Sequence, residues 1–129
     1  MTTPCFIAID VETTLNGNEE IGLAHPMHPD NRVVAFGLAN SIGKGHAFYE
    51  APEYFEDVLN GYSESNPVIC GHNISFDLMY LYKTSPSLKT KLQNYRIWDT
   101  QLAEYILSGQ RTKFSSLDEL SIKYGLPIK

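Results

Sequence analysis

Several things are scarce in this sequence. No apolar stretch is long enough to cross a membrane, and no charged segment followed by an apolar one reads as a secretory signal, so no membrane role and a cytoplasmic location are expected. Cysteine occurs only twice, as Cys5 and Cys70, without C-x-x-C spacing. That excludes a disulfide framework and a zinc signature, and both thiols, set in apolar strand patterns, are expected to be reduced core residues. Basic charge is also short, with 10 Lys and Arg against 15 Asp and Glu and a formal net charge of -5. A protein that grips nucleic acid mainly through a basic surface is thereby disfavoured. The late basic residues Lys83, Lys89, Lys91, Arg96, Arg111 and Lys113 read mostly as a solvated face. What remains, 129 residues of which 43% are hydrophobic, suits one domain with a modest core.

Chemistry enters with the run Cys5-Phe6-Ile7-Ala8-Ile9-Asp10-Val11-Glu12-Thr13-Thr14. Side chains on a strand alternate, so Asp10 and Glu12 share one side while Val11 takes the other. Two like charges one strand step apart at the edge of a core are costly unless a cation neutralises them, and a hard divalent ion with oxygen ligands is the natural remedy. The plainer reading is a pair of acids that solubilises a strand end.

A second segment narrows the choice. Val68 to Cys70 forms a short apolar strand, Gly71-His72-Asn73 a turn, and an amphipathic helix then carries Phe76, Leu78, Met79 and Leu81 toward a core. Asp77 falls in the first turn of that helix, where the helix dipole is expected to keep a carboxylate ionised, as a metal ligand requires. Dipole complementation alone would also explain it.

The remaining chain alternates. The first strand, about Cys5 to Val11, is followed by a polar, Pro-rich loop from Asn16 to Asn31. Arg32 to Ala39 and Gly45 to Tyr49 read as strands joined by Ser41-Ile42-Gly43-Lys44, and Phe55, Val58, Leu59 and Tyr62 make a helical face. A last strand near Tyr95 to Trp98 feeds a helix with Leu102, Ala103, Ile106 and Leu107 at helical spacing, capped by Asp99 and ended by Gly109. Ser116-Leu117-Asp118-Glu119 is a capping box that opens a final helix to about Tyr124. Five strands interleaved with helices describe a three-layer α/β domain. His25 and His28 form H-x-x-H beside prolines, without a further ligand in view, so zinc is not expected there. Trp98, Tyr80 and Tyr82 have faces suited to stacking on bases, but their spacing suits core positions better.

Asp10-x-Glu12 with Thr13-Thr14, then His72-Asn73-x-x-Phe76-Asp77, resembles the first two motifs of the DnaQ-like (DEDD) 3'-5' exonuclease superfamily. The stretch Ile97 to Leu107 followed by Ser116-Leu117-Asp118-Glu119-Leu120 is similar to the region that follows in proofreading exonuclease domains of phage family A DNA polymerases. The resemblance implies a ribonuclease H-like fold, a mixed five-stranded sheet with its first strand central and its second antiparallel to it. It also implies hydrolysis of 3'-terminal phosphodiester bonds of DNA with two divalent cations, Mg²⁺ or Mn²⁺. By that resemblance Asp10, Glu12 and Asp77 are the catalytic, metal-binding acids. Thr13, Leu15, His72, Asn73 and Phe76 are the substrate-side residues, and His72 could equally make a structural hydrogen bond.

The resemblance has a gap. The superfamily's third motif, a helix with a Tyr or His and a fourth acid, has no counterpart, since no Tyr-x-x-x-Asp or His-x-x-x-x-Asp follows Asp99. The expectation is therefore a single incomplete exonuclease domain over residues 1–129, its C-terminal helix missing, nearly inactive alone, and the N-terminal part of a phage polymerase working in the host cytoplasm. The expected partners are a single-stranded DNA 3' end, a polymerase domain in the same or a neighbouring chain, and a second copy through an exposed apolar patch. The alternatives are a catalytically incomplete nucleic-acid or protein binding module and an RNA-directed DEDD exoribonuclease.

Overall fold

Alternation of apolar and polar residues along 6–13 produces a strand with one buried edge of side chains, Ile7, Ile9 and Val11, and one exposed, Ala8, Asp10 and Glu12. The computed structural model describes residues 5–40, 47–62, 66–111 and 113–127. Its elements are β1 (Phe6–Thr13), β2 (Val33–Asn40), β3 (Ala47–Tyr49), α1 (Phe55–Asn60), β4 (Val68–Gly71), α2 (Ile74–Thr84), α3 (Pro86–Leu92), β5 (Arg96–Asp99), α4 (Thr100–Leu107) and α5 (Leu117–Lys123). One sheet runs β3-β2-β1-β4-β5, with β1 antiparallel to β2 and parallel to β4, and β4 parallel to β5. The mixed α/β arrangement is compatible with a ribonuclease H-like fold. The expected turn Ser41 to Lys44 and the first two residues of the third expected strand, Gly45 and His46, lie outside the described residues.

The core sits on one side of the sheet. Ile7, Ile9, Val11, Phe36, Leu38 and Ile69 meet Phe55 and Leu59 of α1, Ile74, Tyr80 and Leu81 of α2, and Leu88 and Leu92 of α3. Helix α3 was not legible in the sequence; Ser85 caps it by accepting from the Leu88 N–H, and Pro86 opens it.

One expectation about an apolar face needs correction. In α2 the buried residues are Ile74, Asp77, Tyr80 and Leu81, whereas Phe76 and Leu78 are half-buried and Met79 is exposed beside Met27 and Tyr82. The helix is turned so that its carboxylate, rather than Met79, faces the strand. In α4 the spacing of Leu102, Ile106 and Leu107 does make a helix, but all three are exposed, Leu107 by 77%. The sheet beside them is equally open, with Ala8 exposed on the central strand and Trp98 51% exposed on β5. The expected third layer is thus only begun among the described residues. Helices α4 and α5 are tied to each other by Glu104, whose carboxylate accepts from Lys123 and from the Tyr124 hydroxyl. Those partners hold the Glu104 carboxyl below the usual carboxylate range. Cys5 and Cys70 are in no disulfide and half-buried rather than core, and burial pushes the Cys70 thiol up, away from reactive thiolate.

Candidate active site at the end of the central strand

The site grows from the point where β1 outruns its parallel neighbour. β4 pairs with β1 only from Phe6 to Ala8, so further along β1 the edge toward β4 is left without a strand partner. Helix α2 fills that place. Asp77 Oδ1 accepts the Val11 N–H at 3.1 Å, which brings this carboxylate against the backbone between Asp10 and Glu12. On the other edge, the register with β2 shifts between Glu12 and Thr13, where the partners jump from Ala35 to Val33. Such an irregularity bends a strand and re-aims its end. Asp10 and Glu12 are exposed on the open face of the sheet, and Thr13 is half-buried beyond them.

Asp77 is only 5% exposed, and burial is the main reason its pKa is raised from 3.8 to about 7. The Val11 N–H works in the opposite direction, while the nearby charges of Asp10 and Asp99 raise it further. The helix-dipole expectation of a firmly ionised Asp77 is therefore corrected: loss of water outweighs the helix end. A buried carboxylate next to further acids is a group that a cation would stabilise in its charged form. Among the described residues, no three His, Cys, Asp or Glu side chains stand together as a ready metal cage. The donor chemistry of Asp10, Glu12 and Asp77 fits a hard divalent ion, while their side chains are not gathered on one.

The turn between β4 and α2 is tightly made. A Cβ at Gly71 would meet the Ile9 carbonyl oxygen and the Ile74 side chain at 3.2 Å, so a larger residue there would press the turn and β1 slightly apart. Asn73 adopts a left-handed conformation, φ 56°, which Asn tolerates better than most residues. Its N–H donates to Asp99 Oδ1 at 3.0 Å, and the same oxygen accepts from Gln101 and Leu102 at the start of α4. Asp99 was anticipated only as a helix cap; its hold on the Asn73 turn was not.

The other predicted residues are placed as follows. His72 uses both ring nitrogens inside the protein, Nδ1 with the Thr100 hydroxyl at 3.0 Å and Nε2 with the Ser115 carbonyl at 2.7 Å. A carbonyl only accepts, so Nε2 carries the proton. His72 thereby braces the turn against the first residue of α4 and the segment just before α5. Phe76 is half-buried against the Tyr80 ring, with centroids 5.1 Å apart. Leu15 is 64% exposed just beyond β1. His25 and His28 serve their own loop, each accepting through Nδ1 from the N–H two residues on, Met27 and Asp30.

Sequence reasoning missed Asn31, which is fully buried in the loop before β2, and Lys83, whose ammonium donates to the carbonyls of Pro26, His28 and Asn31. A long loop rich in polar residues has to satisfy its own backbone groups, and that requirement was the available signal.

The sequence model of a family described as 3'-5' exonuclease matches residues 30–127 of this chain. The match includes His72, Asn73, Phe76 and Asp77 and begins after β1, so the places of Asp10 and Glu12 rest on the strand geometry. No curated protein matches the chain.

Proposed function

We propose a function from one premise, that the chain belongs to the 3'-5' exonuclease family matched over residues 30–127. Exonucleases of this family are hydrolases that use divalent metal ions. Our reading is that the site at the end of β1 removes nucleotides from DNA 3' ends, in the manner of a proofreading exonuclease beside a polymerase domain. The observation that carries it is the hydrogen bond from Val11 to Asp77, which supports three carboxylates serving one site.

In this reading Asp10, Glu12 and Asp77 hold two divalent cations, Mg²⁺ or Mn²⁺. Bound there, the ions would supply a water acidic enough to attack and positive charge for the leaving oxygen. The chain's own residues do the rest. Asp77 is set against the strand by the Val11 N–H. The register shift after Glu12 bends the strand at Thr13, and in this reading the backbone there meets a terminal 3' hydroxyl. Leu15 offers an apolar side chain for the last base, and Asn73 stands at the rim of the turn. His72 and Phe76 act from behind, through the turn and helix they support.

The acidic balance of the chain fits a site that reads a chain end through ions and a few short contacts rather than a long basic track. The exposed apolar residues of α4 and α5 support a neighbour there, either the polymerase domain or a second copy.

The deciding measurement is release of nucleotides from a labelled single-stranded DNA oligonucleotide in Mg²⁺ and in Mn²⁺, with matched RNA alongside. The reading expects DNA to be shortened from its 3' end and Asp10→Ala to lose about 10²-fold or more, as removal of a group central to the chemistry does. Binding of 3' ends without hydrolysis in either metal would favour a binding module, a reading that the ungathered carboxylates also fit. Faster hydrolysis of RNA would redirect the assignment to an exoribonuclease.

A further inference from the structure

We infer that Asn31 is a positioning residue for recognition of the terminal base, acting through Leu15; this rests on the exonuclease reading of the site. Leu15 lies in an irregular stretch between β1 and β2, where an exposed side chain would ordinarily be free to wander. Both of its neighbours are instead fixed to one buried side chain. Asn31 Oδ1 accepts from the Thr14 hydroxyl at 2.9 Å and from the Asn16 N–H at 2.7 Å. Its Nδ2 donates to the carbonyls of Leu23 and His25, each at 3.0 Å. Two donors and two acceptor sites are all that an Asn side chain possesses, and here all are used.

The hub is itself anchored to the helix that carries Asp77. Lys83 of α2 donates to the Asn31 carbonyl, and the buried Tyr80 hydroxyl donates to Ala24 at 2.7 Å. Thr14 is closed against β2 as well, its N–H donating to Arg32 at 3.0 Å and its hydroxyl accepting from the Arg32 N–H at 3.0 Å. Beyond Asn16 the chain doubles back so tightly at Gly17 that a Cβ would fall 2.1 Å from the Gly22 carbonyl oxygen. Leu15 is thus a protruding apolar side chain on a backbone locked at both flanks and referenced to α2. A contact surface ordered before binding loses little freedom when a base packs on it. The ligand class is the terminal nucleobase of a single strand, read by its flat face and not by its edges.

The test is fluorescence anisotropy of the full chain in Mg²⁺ with two oligonucleotides whose last linkage is a hydrolysis-resistant phosphorothioate. One ends in an ordinary nucleotide and the other in an abasic residue. The wild type is expected to bind the base-bearing end about tenfold more tightly, the order of effect of burying part of one apolar side chain against the base. Leu15→Ala should abolish that preference, Asn31→Ala should abolish it to the same extent while leaving the abasic affinity unchanged, and the double variant should add nothing. If Asn31→Ala fails to fold, Thr14→Val removes one arm of the clamp and should cut the preference on its own. Asn31→Ala weakening both ligands equally, or keeping the preference, would overturn the inference while leaving the exonuclease reading intact. A wild type that binds both ends equally would also overturn it alone. No binding to any 3' end would overturn both.

Discussion

On one side of the sheet Ile7, Phe36, Leu38, Ile69, Leu81, Leu88 and Leu92 close on one another, whereas around α4 and α5 residues of the same chemistry, Leu102, Ile106, Leu107, Leu117 and Ile122, lie exposed. Both regions carry amphipathic helices, and both have well-formed caps, Ser85 for α3, Asp99 for α4 and Ser116 for α5. What separates them is an opposing surface. Periodicity makes a helix with an apolar stripe, but only a facing layer turns the stripe into stability. The first region should therefore carry most of the folding free energy, and the second should carry interactions.

The largest effect expected on the packed side comes from Asp77. Its pKa is raised from 3.8 to about 7 in the folded chain, so between those values the folded state keeps a proton that the unfolded state has released. Stability of the metal-free protein should thus be greatest at low pH by this group's contribution and fall as pH rises through about 4 to 7. Asp77→Asn keeps an acceptor for the Val11 N–H without the charge. It should flatten that slope and stabilise the metal-free chain at neutral pH by on the order of 4 kcal/mol, as read from urea melts across pH. An unchanged slope would mean that Asp77 is better solvated than its burial implies.

Next in size is the core itself. Ile69→Ala, at a fully buried position on β4, should cost about 3 kcal/mol in denaturant unfolding. Leu107→Ala removes a similar amount of side chain from α4 and should change stability by less than about 0.5 kcal/mol. Comparable losses at the two positions would break the contrast and point to a covered α4 in solution.

A smaller and more local effect is expected at Glu104. Glu104→Gln loses the ion pair with Lys123 and weakens the acceptor for Tyr124, so amide exchange across Leu117–Lys123 should quicken while exchange in α2 stays as it was. Simultaneous loosening of α2 would show that the two regions unfold as one unit. Least affected should be the size of the particle if the open face is idle: light scattering of the wild type and of Ile122→Glu would then agree, whereas a wild-type dimer lost in the variant would identify a second copy as the cover.

Much of the fold could be read before any coordinates. The strands around Ile7, Val34, Ile69 and Ile97, the helix after Asn73 and the capping box at Ser116 all follow from local rules, because alternation, helical spacing and cap chemistry act within a few residues. Helix α3 escaped notice because Pro86 and two lysines in seven residues mask its two apolar anchors, Leu88 and Leu92. The candidate site was legible as a set of residue types, Asp10, Glu12 and Asp77, but their ionisation was not, since burial of Asp77 depends on how α2 is rotated against β1.

Apart from α3, the sequence by itself determined which segments are strands and helices, where they are capped, and that Asp10 and Glu12 share one face at the end of the first strand, since these are properties of neighbouring residues. Tertiary structure alone decided that Asp77 meets Val11, that His72 braces the turn rather than standing open, and that Asn31 governs the loop around Leu15. Each of those depends on contacts between segments distant in the chain, and no local pattern encodes the direction in which a polar side chain must turn to find its partner.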